Sequence, residues 1–366
     1  MRIGIVGLPN VGKSTLFSAI TKNPVDINNY PFCTIEPNVG IASVEDDRLN
    51  QLHQLFPESQ KIPAIVEFVD IAGLVKNAHQ GEGLGNQFLA NIRNVDAILE
   101  VVRSFSDENI GHVEKKIDPL QDIEIIKSEL ILADLELIEK RQHRIAKLAR
   151  SQGPEREAAE AEKVILGIYK EQLNQNKWLH PLPAIPEKLL SLALELNRNF
   201  SLLSAKPILY VINSNEGVTI EQQKELEDKL SKAGFSKEQF IFIDAKLEKD
   251  MNDISPDEQK ELELISKLEN IVRHSYSLLG LSTFFTSGDK ETRAWTIPKN
   301  CSAPEAAGVI HSDFQKLFIS ANVINWQKLL EAESWKNARE KGLIRREGKN
   351  YLMQEGDVVE FLIGKL

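Results

Sequence analysis

Short apolar runs, separated by polar and helical stretches, form the main pattern of the chain outside one central segment. The runs are rich in β-branched and aromatic residues, and each has the length of one buried strand. They lie at residues 3–6, 40–44, 64–69, 97–102, 208–212 and 240–243. Helical stretches such as residues 14–21 lie between them. This alternation predicts an α/β fold with a mostly parallel sheet covered by helices.

A helical pattern replaces this alternation between residues 118 and 205. Residues 123–150 carry apolar side chains at helical spacing, a break follows at Ser151-Gln152-Gly153-Pro154, and residues 156–173 are helical again. Two long helices joined by a tight break predict an antiparallel hairpin that projects from the core. The end of the first helix is basic, which fits either a solvated face or a phosphate-contacting face. The basic residues are Lys140, Arg141, Arg144, Lys147 and Arg150.

The pattern changes once more after about residue 277. Strand-like runs at 283–286, 293–297 and 318–323, one helix over 303–317 capped by Ser302, and a strand pair within 351–362 predict a small α+β module. The strand pair is expected to fold around Glu355-Gly356-Asp357. The predicted domains are therefore 1–117 together with 206–277, the insertion 118–205, and the module 278–366.

Composition narrows the class of protein. The 366 residues are 42% hydrophobic and 27% charged, which is typical of a globular protein. The net charge of −10 argues against a nucleic-acid coat protein but does not exclude a local basic groove. Cys33 and Cys301 are predicted to be reduced thiols. No apolar stretch is long enough to cross a bilayer, and the N-terminus enters a strand directly. We therefore expect a cytoplasmic protein with no membrane contact.

The strongest chemical signal is Gly7-Leu8-Pro9-Asn10-Val11-Gly12-Lys13-Ser14, which matches G-x-x-x-x-G-K-[ST] between a predicted strand and a predicted helix. Backbone N–H groups in such a loop surround phosphates, and the helix N-terminus adds its dipole. Lys13 is expected to lie between the β- and γ-phosphates, and Ser14 to coordinate Mg²⁺. The predicted nucleotide contacts here are Asn10, Val11, Gly12, Lys13, Ser14 and Thr15.

Two further segments complete the pattern of a nucleotide switch. Asp70 ends a predicted strand and begins a D-x-x-G spacing that ends at Gly73, so Asp70 is expected in the magnesium shell and the Gly73 amide at the γ-phosphate. Thr34 is the candidate for a first switch that closes on Mg²⁺. The glycine-rich residues 81–85 follow no strand, which favours a hinged second switch over a dinucleotide fingerprint.

The P-loop with its asparagine, the stretches NNYPFCTIEPNVG and DIAGLVKNAHQGEGLGNQFL, the helical insertion and the C-terminal module together resemble the YchF subfamily of Obg-like P-loop NTPases over essentially the whole chain. The resemblance implies a G-domain, a coiled-coil arm and a TGS domain with a ubiquitin-like β-grasp fold. It also implies an ATPase associated with the ribosome, through the large subunit, or with structured RNA.

The residue that orients the attacking water is not settled by the motifs. Leu74 stands where Ras-type enzymes have a glutamine, and an apolar side chain cannot orient water. Histidine ordinarily titrates near neutrality and can hydrogen-bond a water, so His79 and His112 are both candidates, and the resemblance favours His112. A K⁺ ion held by Asn10 is the other source of positive charge, while a purely structural role for Asn10 is equally open. Slow turnover is expected either way.

The base-reading motif departs from that of a GTPase. Asn213-Ser214-Asn215-Glu216 replaces Asn-Lys-x-Asp, whose aspartate accepts hydrogen bonds from N1 and N2 of guanine. The longer Glu216 places its carboxylate elsewhere, whereas the Asn213 amide suits N7 and N6 of adenine. Lys246 is a candidate to cover the base. These residues and the resemblance both favour ATP as substrate, with a relaxed site for both bases as the alternative.

Two classes of function remain at this point, an NTPase switch and an RNA- or ribosome-binding module. The first is a slowly hydrolysing ATPase switch, with Lys13, Gly73 and His112 in catalysis. The alternatives are a GTPase, a dual-specificity NTPase, or an RNA- or ribosome-binding module whose nucleotide is mainly structural. The basic arm and the C-terminal residues Lys341, Arg345, Arg346 and Lys349 support a role in binding RNA. A monomer is expected.

Overall fold

The computed structural model describes residues 1–22, 36, 38–71, 84–105, 117–148, 154–215 and 219–364. Contacts divide the chain into two compact units, the first built on Met1–Lys22, Glu36–Gly40 and Glu67–Lys267, and the second on Ile41–Val66 and Leu268–Leu366. The insertion is grouped with the first unit, and residues 41–66 with the second. The three predicted domain boundaries therefore stay a prediction.

One six-stranded sheet has the strand order β2-β4-β1-β5-β6-β7 and carries the P-loop after its central strand β1. Its strands are β1 (Arg2–Val6), β2 (Val39–Val44), β4 (Ala64–Asp70), β5 (Ala97–Arg103), β6 (Ile208–Asn213) and β7 (Phe240–Ile243). Each predicted run is confirmed to within one residue at either end. The pairs β1–β4, β1–β5, β5–β6 and β6–β7 are all parallel, so their carboxyl ends meet at one edge of the sheet.

Eight helices of the first unit are described. They are α1 (Lys13–Thr21), α3 (Leu84–Arg93), α4 (Pro119–Leu148), α5 (Pro154–Asn174), α6 (Leu190–Phe200), α7 (Ile220–Lys232), α8 (Ala245–Met251) and α9 (Pro256–Glu261). The predicted helical hairpin is α4 and α5, whose shared core includes Ile138, Ile145 and Tyr169 and extends to Leu196 on α6. Packing of three apolar helix faces stabilises the arm.

A buried carboxylate fixes α4 to the first unit. Asp134 accepts hydrogen bonds from the backbone N–H of Leu203 at 3.1 Å, the backbone N–H of Ser204 at 2.8 Å and the Ser204 hydroxyl at 2.6 Å. The Arg93 guanidinium at the end of α3 lies 3.4 Å from the same carboxylate. A buried carboxylate is stable only when it is paired, so α4 is held at the position where Asp134 reaches these partners. This cluster therefore defines where the helical insertion leaves the core.

The second unit contains a separate sheet with the order β11-β10-β12-β8-β9-β3. The strands are β3 (Gln60–Ile62), β8 (Leu281–Ser287), β9 (Glu291–Pro298), β10 (Phe318–Asn325), β11 (Arg345–Glu347) and β12 (Asp357–Ile363), and the helices are α2 (Asp47–His53), α10 (Leu268–Leu278), α11 (Ala303–Ile310), α12 (Ser312–Lys316), α13 (Trp326–Ala332) and α14 (Trp335–Glu340). β8 and β9 are antiparallel, β10 and β12 are antiparallel, and β12 runs parallel to β8. This is a β-grasp arrangement, as the resemblance implies.

Two details of the predicted C-terminal module are wrong. The helix predicted over 303–317 is two helices, because His311 is extended with φ −158 and caps α12 by accepting a hydrogen bond from the Asp313 N–H. The predicted strand pair around Glu355-Gly356-Asp357 is also absent from the described residues. β12 begins at Asp357, while Glu355 instead accepts hydrogen bonds from the Ser282 hydroxyl and the Thr283 N–H of β8.

A membrane span requires a helix that is both long and apolar. Among the helices that the structure describes, none is long enough and apolar enough to cross a bilayer.

Candidate nucleotide-binding site

The loop between β1 and α1 takes a conformation that few residues adopt. Asn10 has φ 64 and Gly12 has φ 100, so the backbone reverses into the left-handed region at both residues. Asparagine tolerates this region, and glycine does so without steric cost. The loop therefore curls in front of α1 and presents the helix N-terminus to a concave space, which is the arrangement that binds phosphates.

That space is a cavity of about 580 Å³ at the carboxyl edge of the parallel sheet. Five of its lining residues belong to the P-loop and the first turn of α1, and the rest follow β5, β6 and β7. The lining comprises Asn10, Gly12, Lys13, Ser14, Thr15, Phe105, Asn213, Ser214, Asn215, Asp244 and Lys246. The structure thus brings together the predicted phosphate-binding residues and Asn213. Val11 is not among the lining residues: its side chain is buried, and its backbone carbonyl accepts a hydrogen bond from Asn213.

Lys13 lies at the P-loop end of the cavity with only 9% of its surface exposed. Its Nζ donates a hydrogen bond to the backbone carbonyl of Leu8 at 2.8 Å. Burial lowers the pKa of the Lys13 ammonium, and the Asp70 carboxylate acts in the opposite direction. The Lys13 ammonium is therefore positioned by the Leu8 carbonyl. Because it is buried, binding of an anion such as phosphate beside it is strongly favoured.

Ser14 and Asp70 are adjacent, as a magnesium site requires. The Ser14 hydroxyl donates a hydrogen bond to Asp70 Oδ2 at 3.0 Å, and Asp70 is the last residue of β4. A hydroxyl and a carboxylate side by side are hard oxygen donors of the kind that Mg²⁺ takes from proteins when substrate phosphates supply its other ligands. The pair fits this ion.

Asn213 connects the two ends of the cavity. Its Nδ2 donates to the backbone carbonyl of Val11 at 2.9 Å, and its Oδ1 accepts from the backbone N–H of Ala245 at 3.0 Å. Its own backbone carbonyl accepts from the Ser104 N–H at 2.8 Å. The side chain amide has capacity for one further donor and one further acceptor contact, so pairing with adenine stays a prediction. What the geometry adds is a linking role that the sequence pattern did not reveal.

The segment after β7 is shaped by a helix cap. The Asp244 carboxylate accepts from the backbone N–H groups of Lys246 and Leu247 at 3.0 Å and 2.9 Å, which starts α8. The Ser214 hydroxyl points to the Ile243 carbonyl at 3.3 Å. Because Asp244 is committed to the cap, its main effect at this end of the cavity is to fix the position of Lys246.

Phe105 is a lining residue that sequence analysis missed. It follows β5 by two positions, and its half-buried ring faces the cavity. The available signal was its place directly after a buried strand, at the edge where ligands of parallel sheets bind. Asn215 also lines the cavity and was noted only as part of the altered motif.

Several predicted site residues lie outside the described residues. They are Thr34, Gly73, Leu74, His79, His112 and Glu216. Their predicted roles in switching, in hydrolysis and in base recognition therefore stay predictions.

Comparison with known proteins agrees with this geometry. A family model described as "50S ribosome-binding GTPase" matches residues 2–136, and the model YchF-GTPase_C, described as "Protein of unknown function (DUF933)", matches residues 281–364. A Bacillus subtilis (strain 168) protein named Ribosome-binding ATPase YchF is 47% identical over 365 residues, covering 98% of this chain and 98% of its own. The protein of the same name from Escherichia coli O157:H7 is 43% identical over 366 residues, covering 99% and 98%.

A solved structure extends the comparison to three dimensions. The "Structure of the Schizosaccharomyces pombe YchF GTPase" superposes with a TM-score of 0.85 at 34% identity, covering 99% of this chain and 97% of that one. The matched region covers the P-loop sheet, the helical insertion and the β-grasp module. The chain therefore belongs to the YchF family of P-loop NTPases.

Proposed function

We propose that this protein is a Mg²⁺-dependent ATPase that turns over slowly and binds the ribosome according to its nucleotide state. The observation that carries the proposal is one cavity lined by Lys13, Ser14 and Asn213, in which Ser14 is hydrogen-bonded to Asp70. The names of the relatives from Bacillus subtilis and Escherichia coli, each a ribosome-binding ATPase, support the same function.

The residues at the phosphate-binding end of the cavity are proposed to stabilise the negative charge of the nucleotide phosphates. Lys13 places its charge where the β- and γ-phosphates of a nucleotide reach the N-terminus of α1. Ser14 and Asp70 would hold Mg²⁺, which neutralises phosphate charge when bound. Thr34 and Gly73 are proposed to close on the γ-phosphate, and His112 to orient the attacking water, with His79 or a K⁺ ion at Asn10 as the alternatives. Chemistry of this kind, without an arginine from a partner, is slow.

The base-binding end of the cavity favours adenine because it lacks the lysine and the aspartate that a GTPase uses to recognise guanine. A GTPase site needs a lysine stem over the base and an aspartate that accepts from guanine N1 and N2. Here Ser214 replaces the lysine and its hydroxyl is directed to a backbone carbonyl, while Glu216 replaces the aspartate. GTP is the second candidate substrate, because the solved relative from Schizosaccharomyces pombe is titled a GTPase.

Calorimetric titration of nucleotide-free protein with Mg·ATP and with Mg·GTP tests the choice of base. Tighter binding of ATP is expected. The double variant Ser214→Lys/Glu216→Asp restores the Asn-Lys-x-Asp pattern and serves as the control, since its affinity for GTP should rise. If the unaltered protein binds GTP more tightly than ATP, the proposal of an ATPase fails.

The proposal that the arm binds the ribosome rests on fewer of its basic residues than the sequence suggested. Arg141 is engaged by Glu162 through two hydrogen bonds, of 2.6 Å and 2.8 Å, and Lys140 is paired with Glu136. Arg144 is exposed at the same end of α4. A cation already held by a carboxylate gains little from a phosphate, so Arg144 is a proposed contact of the arm. Lys147 is included because it belongs to the same basic run of the sequence.

Reversing these charges separates binding from hydrolysis. In ribosome cosedimentation over a range of salt concentrations, Arg144→Glu/Lys147→Glu should bind more weakly and with a shallower dependence on salt, at an unchanged rate of hydrolysis. Lys163→Glu/Lys170→Glu on α5 is the matched control for net charge. Equal binding by both variants and the unaltered protein would move the contact to the TGS-like module with Lys341 and Lys349.

We also infer that the protein is a cytoplasmic monomer and that it binds the large ribosomal subunit.

A further inference from the structure

Arg103 is a buried cation beside the nucleotide cavity that none of the motifs includes. It is the last residue of β5, and only 1% of its surface is exposed. In the parallel ladder it pairs with Asn213 of β6, and the next residue, Ser104, donates its backbone N–H to the Asn213 carbonyl at 2.8 Å. The position of Arg103 is therefore fixed by the same strand ends that form the site.

The Arg103 side chain turns onto the segment that follows it. Its Nε donates a hydrogen bond to the backbone carbonyl of Phe105 at 3.0 Å. Its guanidinium carbon lies 4.5 Å from the centre of the Phe105 ring, within the range of a cation–π contact. One side chain thus holds both the backbone and the ring of Phe105, and that ring lines the cavity.

Aromatic rings bind nucleobases by stacking, and this contact is strong only when the ring is already oriented. The cavity has its phosphate end at Lys13 and Ser14 and its base end at Asn213 to Asn215, and Phe105 is the aromatic side chain among the lining residues. A guanidinium against one face of the ring leaves the ring in a defined plane. We propose that Arg103 is a positioning residue that holds Phe105 as a stacking platform for the base of the bound nucleotide.

The chemistry of arginine is specific to this task. The planar guanidinium donates through Nε while its π-face covers a ring, whereas the ammonium of lysine is a point charge with neither property. Retaining the charge alone should therefore not preserve the function. The inference rests on the proposed function, because it assumes that a nucleotide occupies the cavity.

A double-mutant cycle tests the coupling between the two side chains. The dissociation constant of Mg·ATP is measured by titration for the unaltered protein, Arg103→Met, Phe105→Ala and the double variant. Phe105→Ala is expected to raise it about tenfold and Arg103→Met about threefold or more. In the Phe105→Ala background, Arg103→Met should have no further effect, because the ring that it positions is gone.

A second probe separates the base from the phosphates. Mg²⁺ with ribose 5′-triphosphate, which carries no base, should bind the unaltered protein and Arg103→Met equally. In steady-state hydrolysis of ATP, Arg103→Met should raise KM and leave kcat nearly unchanged. Arg103→Lys should behave as Arg103→Met does. If Arg103→Met does not fold, the same cycle is run with Arg103→Lys.

The control removes a similar contact elsewhere. Arg293 in the second unit is also buried and lies 3.9 Å over the Trp295 ring, so Arg293→Met reports the general effect of losing a buried cation–π pair. It should not change ATP affinity. Additive effects of Arg103→Met and Phe105→Ala, or an equal loss of ribose 5′-triphosphate binding, would overturn the inference. Failure of the unaltered protein to bind ATP would instead overturn the proposed function.

Discussion

The side chain of Asn213 lies directly against the backbone of the P-loop at Gly12. Asn213 Nδ2 donates to the carbonyl of Val11 at 2.9 Å, and a Cβ added to Gly12 would lie 2.3 Å from the same nitrogen. The P-loop and the carboxyl end of β6 are thus in contact through one amide. Changes at either residue are expected to affect both ends of the cavity.

Replacing Asn213 by alanine should weaken both the fold and the site. The carbonyl of Val11 and the N–H of Ala245 each lose a buried partner, at a cost of about 1–3 kcal/mol for each unsatisfied group. We expect a lower free energy of unfolding and at least about tenfold weaker ATP binding, measured by denaturant titration and calorimetry. Asn199→Ala, which removes an exposed amide, is the control. Unchanged ATP affinity in Asn213→Ala would contradict the linking role.

Gly12→Ala should abolish nucleotide binding. The new methyl group would meet Asn213 Nδ2, and the backbone has φ 100, which strains any residue with a Cβ. Gly167 in α5 is the matched control, because a methyl group added there would have no neighbouring atom within 4 Å. Gly167→Ala should bind ATP normally and gain up to about 1 kcal/mol of stability from helix propensity. Normal ATP binding by Gly12→Ala would show that the loop takes another shape in the complex.

The affinity for ATP should fall at alkaline pH because of Lys13. Burial lowers the pKa of this ammonium below the ordinary value of 10.5, and only the protonated form attracts phosphate. As pH rises through the lowered pKa, binding must first restore the proton, so the dissociation constant should rise by up to about tenfold per pH unit. Titrations from about pH 8 avoid ionisation of the nucleotide itself.

Lys13→Met is the control for this pH dependence. It should bind ATP weakly at every pH and show no change over the same range. A parallel decline in both proteins would assign the pH effect to another group.

The sequence predicted the P-loop sheet well because its central strands β5 and β6 are buried on both faces. Such strands appear as continuous apolar runs, so residues 208–213 and 240–243 could be located without any tertiary information. The P-loop was equally visible, since its chemistry is local. Its glycine and asparagine sit where the backbone φ is positive, a requirement of the turn alone.

Features that depend on distant contacts could not be predicted in this way. The three residues of β3 pair with β9 through Gln60 and Glu291, more than two hundred positions apart, and no local pattern indicates this. The break at His311 also escaped, because residues on both sides have helical spacing. At the site, the roles of Phe105 and Arg103 follow from where β5 ends in the sheet. The apolar pattern of β5 in the sequence gives no indication of the roles of Phe105 and Arg103.

A buried acid in the same sheet gives a prediction that no motif contains. Glu100 lies in the middle of β5 with 1% of its surface exposed, and its Oε1 has no hydrogen-bond partner among the described residues. Burial, and then the nearby carboxylates of Asp122 and Glu124 on α4, raise the pKa of Glu100 well above its ordinary value. Tyr210, its neighbour on β6, is also buried, and burial raises the pKa of its phenol. Glu100 is therefore protonated in the folded protein at pH values where the unfolded chain is ionised.

The stability of the protein should consequently decrease as pH rises above about 4.5, the ordinary pKa of glutamate. A folded pKa above the unfolded one adds stability that is fully present below the unfolded value and is lost as pH rises through the folded value. The loss is at most about 1.4 kcal/mol per pH unit for one proton. Glu100→Gln carries no proton to lose, so its free energy of unfolding should overtake that of the unaltered protein as pH rises from about 5 to 8.

Denaturant titrations of both proteins at each pH give this difference directly. Glu136→Gln, which changes an exposed carboxylate on α4, is the control and should differ from the unaltered protein by a small, constant amount. A constant difference for Glu100→Gln as well would mean that Glu100 titrates alike in both states. Its carboxyl group would then be solvated or paired in the folded protein. A difference that grows with pH would instead identify Glu100 as a neutral acid beneath the first helix of the arm.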